Sequence, residues 1–372
     1  MAKSDLKIIT QEYGTIFIKD FVNSTISTPS FLVDAQKIIK FLVSKESFIT
    51  VSTSGSTSKP KQIALKKSDL LKSAKSTANF LGLEKSTSKK ILVALNSNKI
   101  AGIMQIVRAY FLNFDLILIN PSNTPLENDW LTQFDGFSLL SLVPHQLHFA
   151  LEKKLSLEII QKCENILIGG APVSESLKAE VKKIKKSVRI FETFGMTETV
   201  SHFALKELHP NESPYFKTLP GVKIKTDKQG KLMIKSKINQ NKWLLTDDYI
   251  KLIDSNSFTW LGRSINVINS GGVKLFSEQL EADLVLKCKE LQNKKIVIVP
   301  FYDSIYGQIP CLVIEGTKDQ SLIQKINNLE FDKYCRPQKI IFIPEIPMIN
   351  FKPDRKKIIE QIMPNVQTLD SN

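Results

Sequence analysis

The sequence predicts an α/β protein: a large N-terminal α/β unit with a β-rich insert, followed by a smaller α+β unit. Three observations predict it. Short apolar runs rich in β-branched residues recur along the chain, at 91–95, 114–119, 165–168, 188–191, 296–300, 311–315 and 339–343. Segments with helical spacing lie between them, and that alternation points to layered α/β structure. The stretch 216–262 breaks the pattern and reads as short strands joined by turns, with turn signals at Asp227 to Gly230 and Asp254 to Ser257. The first clear helix has Leu70, Leu71, Ala74, Ala78 and Leu81 on one face, with Ser68 or Asp69 expected to cap its start and Gly82 to end it. A second is expected over 174–185. After Arg263 the α/β pattern resumes for about 100 residues, the length of one small domain. The expected units are therefore 1–263 and 264–372.

The composition is that of a globular chain: 372 residues, 42% hydrophobic and 24% charged. No apolar run approaches the roughly 18 residues of a membrane span, so membrane insertion is not expected. The start, Met1-Ala2-Lys3-Ser4-Asp5, does not read as a signal peptide. Cys163, Cys288, Cys311 and Cys335 are scattered without a CxxC pair. That argues against a zinc site or disulfide framework and fits a cytoplasmic protein. The net charge is +14, yet only five of the 51 basic residues are Arg, and the lysines are spread along the chain. Nucleic-acid binding is not expected, because phosphate-backbone readers favour Arg forks and aromatic platforms. A small anionic substrate would also be drawn to this field. The sequence leaves a homodimer open.

The richest local signal is Thr53-Ser54-Gly55-Ser56-Thr57-Ser58-Lys59-Pro60-Lys61. Glycine lets backbone N–H groups approach an anion, hydroxyls add donors and lysine adds charge. The loop has the composition of a phosphate cradle without the spacing of a Walker A loop. Four further segments follow it in order: Gly169-Gly170-Ala171-Pro172; Phe194-Gly195-Met196-Thr197-Glu198-Thr199; Thr246-Asp247-Asp248; and Leu261-Gly262-Arg263 with Asn266 to Lys274. All five resemble, in the same order, the motifs of the adenylate-forming superfamily of acyl-CoA synthetases and adenylation domains. The resemblance spans roughly residues 45–360. Within it, Ile100-Ala101-Gly102, the run from Phe194 through His202 to Leu205, and Val267 to Gly272 are most similar to the o-succinylbenzoate–CoA ligases of menaquinone biosynthesis.

The resemblance implies a two-domain adenylate-forming fold whose C-terminal part is a mobile lid. It implies ATP, Mg²⁺ and coenzyme A as reactants and a small carboxylic acid as substrate. A carboxylate attacks the α-phosphorus of ATP, and a thiol then displaces AMP. Thr53, Ser54, Gly55, Ser56, Thr57 and Lys59 would wrap the phosphates, with Thr197. Glu198 would hold Mg²⁺, a role a carboxylate suits. Phe194 would stack on adenine, flanked by Gly170, Ala171 and Pro172 and by Thr193, Gly195 and Met196. Asp248 would accept both ribose hydroxyls, and Arg263 would fork onto ribose or α-phosphate. Lys352, in a shortened Pro347-to-Arg355 segment that resembles the family's lysine loop, would neutralise the transferring phosphorus. Ser201 and His202 would face the acyl group, with Ile100, Ala101 and Gly102 opposite. Arg108 would answer a remote carboxylate, or else lie as a helix Arg with a buried stem. Gly271, Gly272 and Lys274 would approach the thiol arm.

Four positions depart from the family pattern. Ser58 replaces the second glycine of the phosphate loop, and Lys99 stands where an aromatic or His residue is usual. Ile265 stands where the hinge has Asp or Lys, so a solvated hinge position is expected to be lost. The Lys352 loop lacks its glycine. The readings left open are ligation of another acid, including transfer to a carrier-protein thiol, and an impaired AMP- or ATP-binding homologue.

Overall fold

Six parallel strands form the centre of a 13-stranded sheet: Lys7–Thr10, Asp115–Leu118, Lys90–Val93, Leu139–Leu142, Asn165–Ile168 and Arg189–Gly195, in that spatial order. The computed structural model describes residues 5–52, 62–292, 294–332, 334–349 and 352–363. The central strands are buried on both faces, and successive side chains point to opposite faces, as a period of two requires. Ile91, Val93, Leu116, Leu118 and Leu139 pack into the core on one face, beneath the helices Ser30–Val43, Lys67–Leu81 and Ile100–Leu112. Leu92, Ile117, Leu140, Leu142, Ile166 and Ile168 pack into the core on the other face, beneath Pro144–Glu152, Lys154–Gln161 and Glu175–Val181.

The stretch 216–262 is all-β, as expected, and continues the same sheet on its antiparallel side. Leu244–Leu252 pairs with Ser257–Arg263, and Phe216–Thr218 joins them to His202–His209. A separate core of Phe203, Phe216, Ile224, Leu232, Ile234, Ile250 and Phe258 lies under this part. Both predicted turns form: the Asp227 carboxylate accepts from Gln229 and Lys231 N–H groups, and that of Asp254 from Asn256 N–H.

The hydrogen-bonded sheet changes after Arg263. One turn of helix, Ser264–Asn266, leads to a second sheet in the order Val273–Phe276, Val267–Ser270, Gly307–Glu315, Ile296–Asp303, with Lys339–Ile343 parallel to Gly307–Glu315. It has its own cores on its two faces. All four cysteines are free thiols, and among the described residues no helix is long and apolar enough to cross a membrane.

Three expectations need correction. The first helix begins at Lys67, with Lys66 at its N-cap and no side-chain cap, so Ser68 and Asp69 do not cap it. The helix leaves the strand Gln62–Lys66 directly, so no loop residue is available to turn back. Asp69 instead sits in the first turn and pairs with Lys72 at 2.8 Å. The end is as expected, with Gly82 in the left-handed region at φ 70°. The second helix stops at Val181, short of Lys185, and Lys182 beyond it pairs with Glu212 at 3.0 Å; Ser174 caps its start by accepting from Leu177 N–H. Finally, Ile265 is 71% exposed. The position stays in solvent although its residue is apolar.

Candidate active site

The topology dictates where a site can form. Asp115–Leu118 lies on one side of Lys90–Val93 and Leu139–Leu142 on the other, so the order of parallel strands reverses there. In such sheets ligands bind at the carboxyl ends of the strands beside the reversal. Those ends lead into the segments that the sequence singles out. Lys90–Val93 runs toward Ile100-Ala101-Gly102, Asn165–Ile168 runs into Gly169 to Pro172, and Arg189–Gly195 runs into Met196-Thr197-Glu198.

The glycine-rich turn after Ile168 is held by its neighbour strand. Gly170 adopts φ +90°, a conformation open to glycine. Glu192, nearly buried and ion-paired with Lys206 at 2.6 Å, accepts from Val173 N–H at 3.3 Å. Ala171 is half-buried and Pro172 exposed beside it. Across the pairing of Arg189–Gly195 with His202–His209, Gly195 faces His202, and a Cβ on Gly195 would come within 2.3 Å of the His202 Cα. A side chain there would part the two strands. Thr199 ties the intervening turn: its hydroxyl accepts from Met196 N–H at 3.1 Å, and it lies 2.9 Å from Met196 O and 2.7 Å from Ser201 O. Glu198 is exposed on this turn, beside half-buried Thr197. Among the described residues no cluster of three or more His, Cys, Asp or Glu could hold a metal. One free carboxylate suits Mg²⁺ held mainly by phosphates and water.

From this turn a chain of contacts runs to the C-terminal unit. Phe194 is half-buried and meets Phe203, Phe216 and Phe258 edge-on at 5.2–5.6 Å. It also lies 6.4 Å from Trp260, whose indole N–H donates to Asp248 Oδ1 at 2.9 Å. Asp248 is buried within a strand, opposite Arg263, whose Nε is 3.5 Å from the same oxygen. Oδ1 thus already accepts from Trp260, and the carboxylate keeps acceptor capacity for an incoming hydroxyl.

Lys352 belongs to this group. Desolvation first and the Arg263 cation second pull its ammonium below the usual lysine range, and the Asp248 carboxylate opposes them. Arg355, three residues on, forks onto Glu281 at 2.8 and 3.1 Å and donates to Ile298 O. That buried pair anchors the strand Lys352–Pro353 to the second sheet. Gly271, Gly272 and Lys274 are exposed, and Lys274 donates to Tyr249 Oη at 3.2 Å.

On the other side of the Met196–Thr199 turn lies a cluster of buried polar side chains. Arg108 is 2% exposed, and its Nη2 donates to Ser201 Oγ at 2.9 Å. Its Nε has no partner among the described residues, and burial pulls the guanidinium down to about 9, which leaves it cationic at neutral pH. His202 Nε2 lies 3.0 Å from Thr77 Oγ1. The Thr77 hydroxyl donates to Ser73 O, so it accepts the Nε2–H of His202. Ile100 is half-buried and Ala101 exposed at the start of the helix that carries Arg108. Gly102 packs against the backbone of Asn96, where a Cβ would come within 2.3 Å of its carbonyl oxygen.

Burial first and the Arg108 cation second hold the His202 imidazole well below the usual histidine range. The unfolded chain takes up a proton here below about pH 6.5, whereas the folded chain does not, so stability falls as pH falls. Between pH 7 and 5.5, wild type is expected to lose about 1 kcal/mol more than His202→Gln in urea denaturation. Identical losses would refute this assignment.

A family model described as AMP-binding enzyme matches residues 42–236, more than half of the chain. The chain belongs to the AMP-binding enzyme family. Among curated relatives, the 2-succinylbenzoate–CoA ligase of Lactococcus lactis is 26% identical over 319 residues, covering 80% of this chain and 67% of that protein. The enzyme of the same name from Bacillus cereus is 23% identical over 333 residues, covering 82% and 67%. Among solved structures, an acyl-CoA synthetase (AMP-forming)/AMP-acid ligase II-like protein from Dyadobacter fermentans matches with TM-score 0.60 and 28% identity, covering 92% of this chain and 97% of that one. The o-succinylbenzoate coenzyme A synthetase of Bacillus subtilis, in complex with ATP and magnesium ion, matches with TM-score 0.69 and 22% identity, covering 83% and 69%.

Within this AMP-binding enzyme, the structure brings together Phe194, Asp248, Arg263 and Lys352, and separately Arg108, Ser201 and His202. The phosphate-loop residues Thr53, Ser54, Gly55, Ser56, Thr57 and Lys59, with Ser58, lie outside the described residues. Sequence reasoning missed Trp260, Glu192, Thr199 and Thr77. Trp260 lies three residues before Arg263, and Glu192 two before Phe194, so proximity to a motif was a usable signal. Thr77, 125 residues from its partner His202, had none.

Proposed function

We propose that this AMP-binding enzyme is an ATP-dependent o-succinylbenzoate–CoA ligase, acting in the cytoplasm in menaquinone biosynthesis. Residues 1–263 bind ATP and acid, and 264–372 form the lid. The observation that carries the acid assignment is Arg108: a buried cation with an open Nε, paired with a serine hydroxyl and no carboxylate. A buried unpaired charge is costly and is expected to meet an anion when the site is filled. o-Succinylbenzoate has two carboxylates, so one can react while the other answers Arg108.

The chemistry follows from placing two anions together. Phe194 and the Gly170-Ala171-Pro172 turn flank the adenine, and Asp248 accepts from a ribose hydroxyl. Thr53 to Lys59 and Thr197 hold the phosphates. Mg²⁺ bound at Glu198 supplies charge neutralisation across them. Lys352 and Arg263 place positive charge at the α-phosphorus, where the attacking carboxylate oxygen adds and pyrophosphate departs. In the second half, rotation of the lid withdraws Lys352 and brings Gly271, Gly272 and Lys274 to the thiol arm. The thiolate attacks the acyl carbon, and AMP leaves with the bonding electrons.

The test is purified protein with o-succinylbenzoate, ATP, Mg²⁺ and coenzyme A. Pyrophosphate and thioester are both expected. Folded protein that forms neither rejects the reading. Faster pyrophosphate exchange with another acid of a carboxylate panel reassigns the substrate.

A further inference from the structure

The helix that carries Arg108 also holds a polar group that the roles above do not use. Gln105 is fully buried on the helix Ile100–Leu112, and neither its amide nitrogen nor its amide oxygen has a hydrogen-bond partner. Ser73 Oγ, 1% exposed on the packed neighbour helix Lys67–Leu81, has none either. Leaving such groups unpaired costs about 1–3 kcal/mol each, so their presence calls for a ligand that pairs them.

Their position says which part of a ligand. Ile100–Leu112 follows the parallel strand Lys90–Val93, so its N-terminus lies at the nucleotide end of the sheet. Gln105 precedes Arg108 by one turn on an adjoining stripe, about 4.5 Å nearer that end. A group at Gln105 thus lies between the reacting carboxylate and the remote one. It faces an amide, which donates to a neutral oxygen.

We infer that Gln105 is a specificity-determining residue that donates its Nε2–H to a carbonyl oxygen lying between the two carboxylates of the acid. This rests on the o-succinylbenzoate reading, since that acid carries a ketone in its succinyl arm.

The experiment compares o-succinylbenzoate with its deoxygenated analogue, 4-(2-carboxyphenyl)butanoate, in pyrophosphate exchange. Wild type is expected to favour the ketone by about tenfold in kcat/KM, because a site built to pair a polar group rejects the analogue lacking it. Gln105→Met is expected to erase that preference, losing about tenfold on the ketone and little on the analogue. Its thermal midpoint without ligand is expected to be unchanged or higher, since two unpaired buried groups are gone. Gln105→Asn, too short to reach, is expected to lose the preference as well. Equal losses on both acids, or no preference in wild type that turns over o-succinylbenzoate, would overturn the inference and leave the ligase reading standing. Wild type inactive on both acids would overturn the two together.

Discussion

Lys352→Ala is expected to lower acyl-adenylate formation by about three powers of ten while leaving ATP affinity nearly intact. The ammonium sits with Arg263 and Asp248 at the junction of the two sheets. Its charge is needed most when the carboxylate and the α-phosphate are forced together. Removing a group that acts in the transition state lowers kcat more than it weakens ground-state binding, and a single well-placed donor of this kind is worth about 10²–10³. Pyrophosphate exchange and equilibrium ATP binding measure the two quantities separately. The pH profile gives a second readout. Because desolvation and Arg263 lower the Lys352 ammonium below the usual lysine range, adenylation should fail on the alkaline side earlier than an ordinary lysine would allow. Lys352→Arg should move that limb upward. An unchanged exchange rate in Lys352→Ala would remove this residue from the mechanism.

Arg108→Leu is expected to raise KM for o-succinylbenzoate about 100-fold, which corresponds to about 2.8 kcal/mol and the upper range of a charged hydrogen bond. Turnover of a monocarboxylate without the remote anion should change little. The unliganded protein should be as stable or more so, because the variant removes a buried guanidinium that lacks a counter-ion. A structural arginine would behave in the opposite way, with stability lost and KM kept. Denaturation without ligand, alongside KM for the two acids, separates the cases.

Much of this was legible before any coordinates. The family motifs stand out in the sequence because each is a short contiguous run, such as Gly169 to Pro172 or Phe194 to Glu198. The constraint is local in such runs: a tight turn, a close strand approach, a carboxylate at a fixed offset. The strand Leu139–Leu142 was missed although all four residues are buried at the sheet centre. It holds Leu and Ser without β-branched residues, and a strand covered on both faces shows no alternation. The Trp260 donor to Asp248 was not foreseen because it comes from the neighbouring strand. Ile265 was misjudged because side-chain type alone says little about the exposure of a residue between two sheets.

The order of amino acids alone determined the family, the α/β class and the all-β stretch within it. These are properties of local segments, where a few neighbouring side chains and the backbone they permit suffice. Only the tertiary structure decided that Arg108 is a cation without a counter-ion, that His202 is kept neutral, and that Gln105 waits unpaired. Burial of a polar group costs energy only once distant elements close over it, and that cost depends on which partners the packing supplies or withholds.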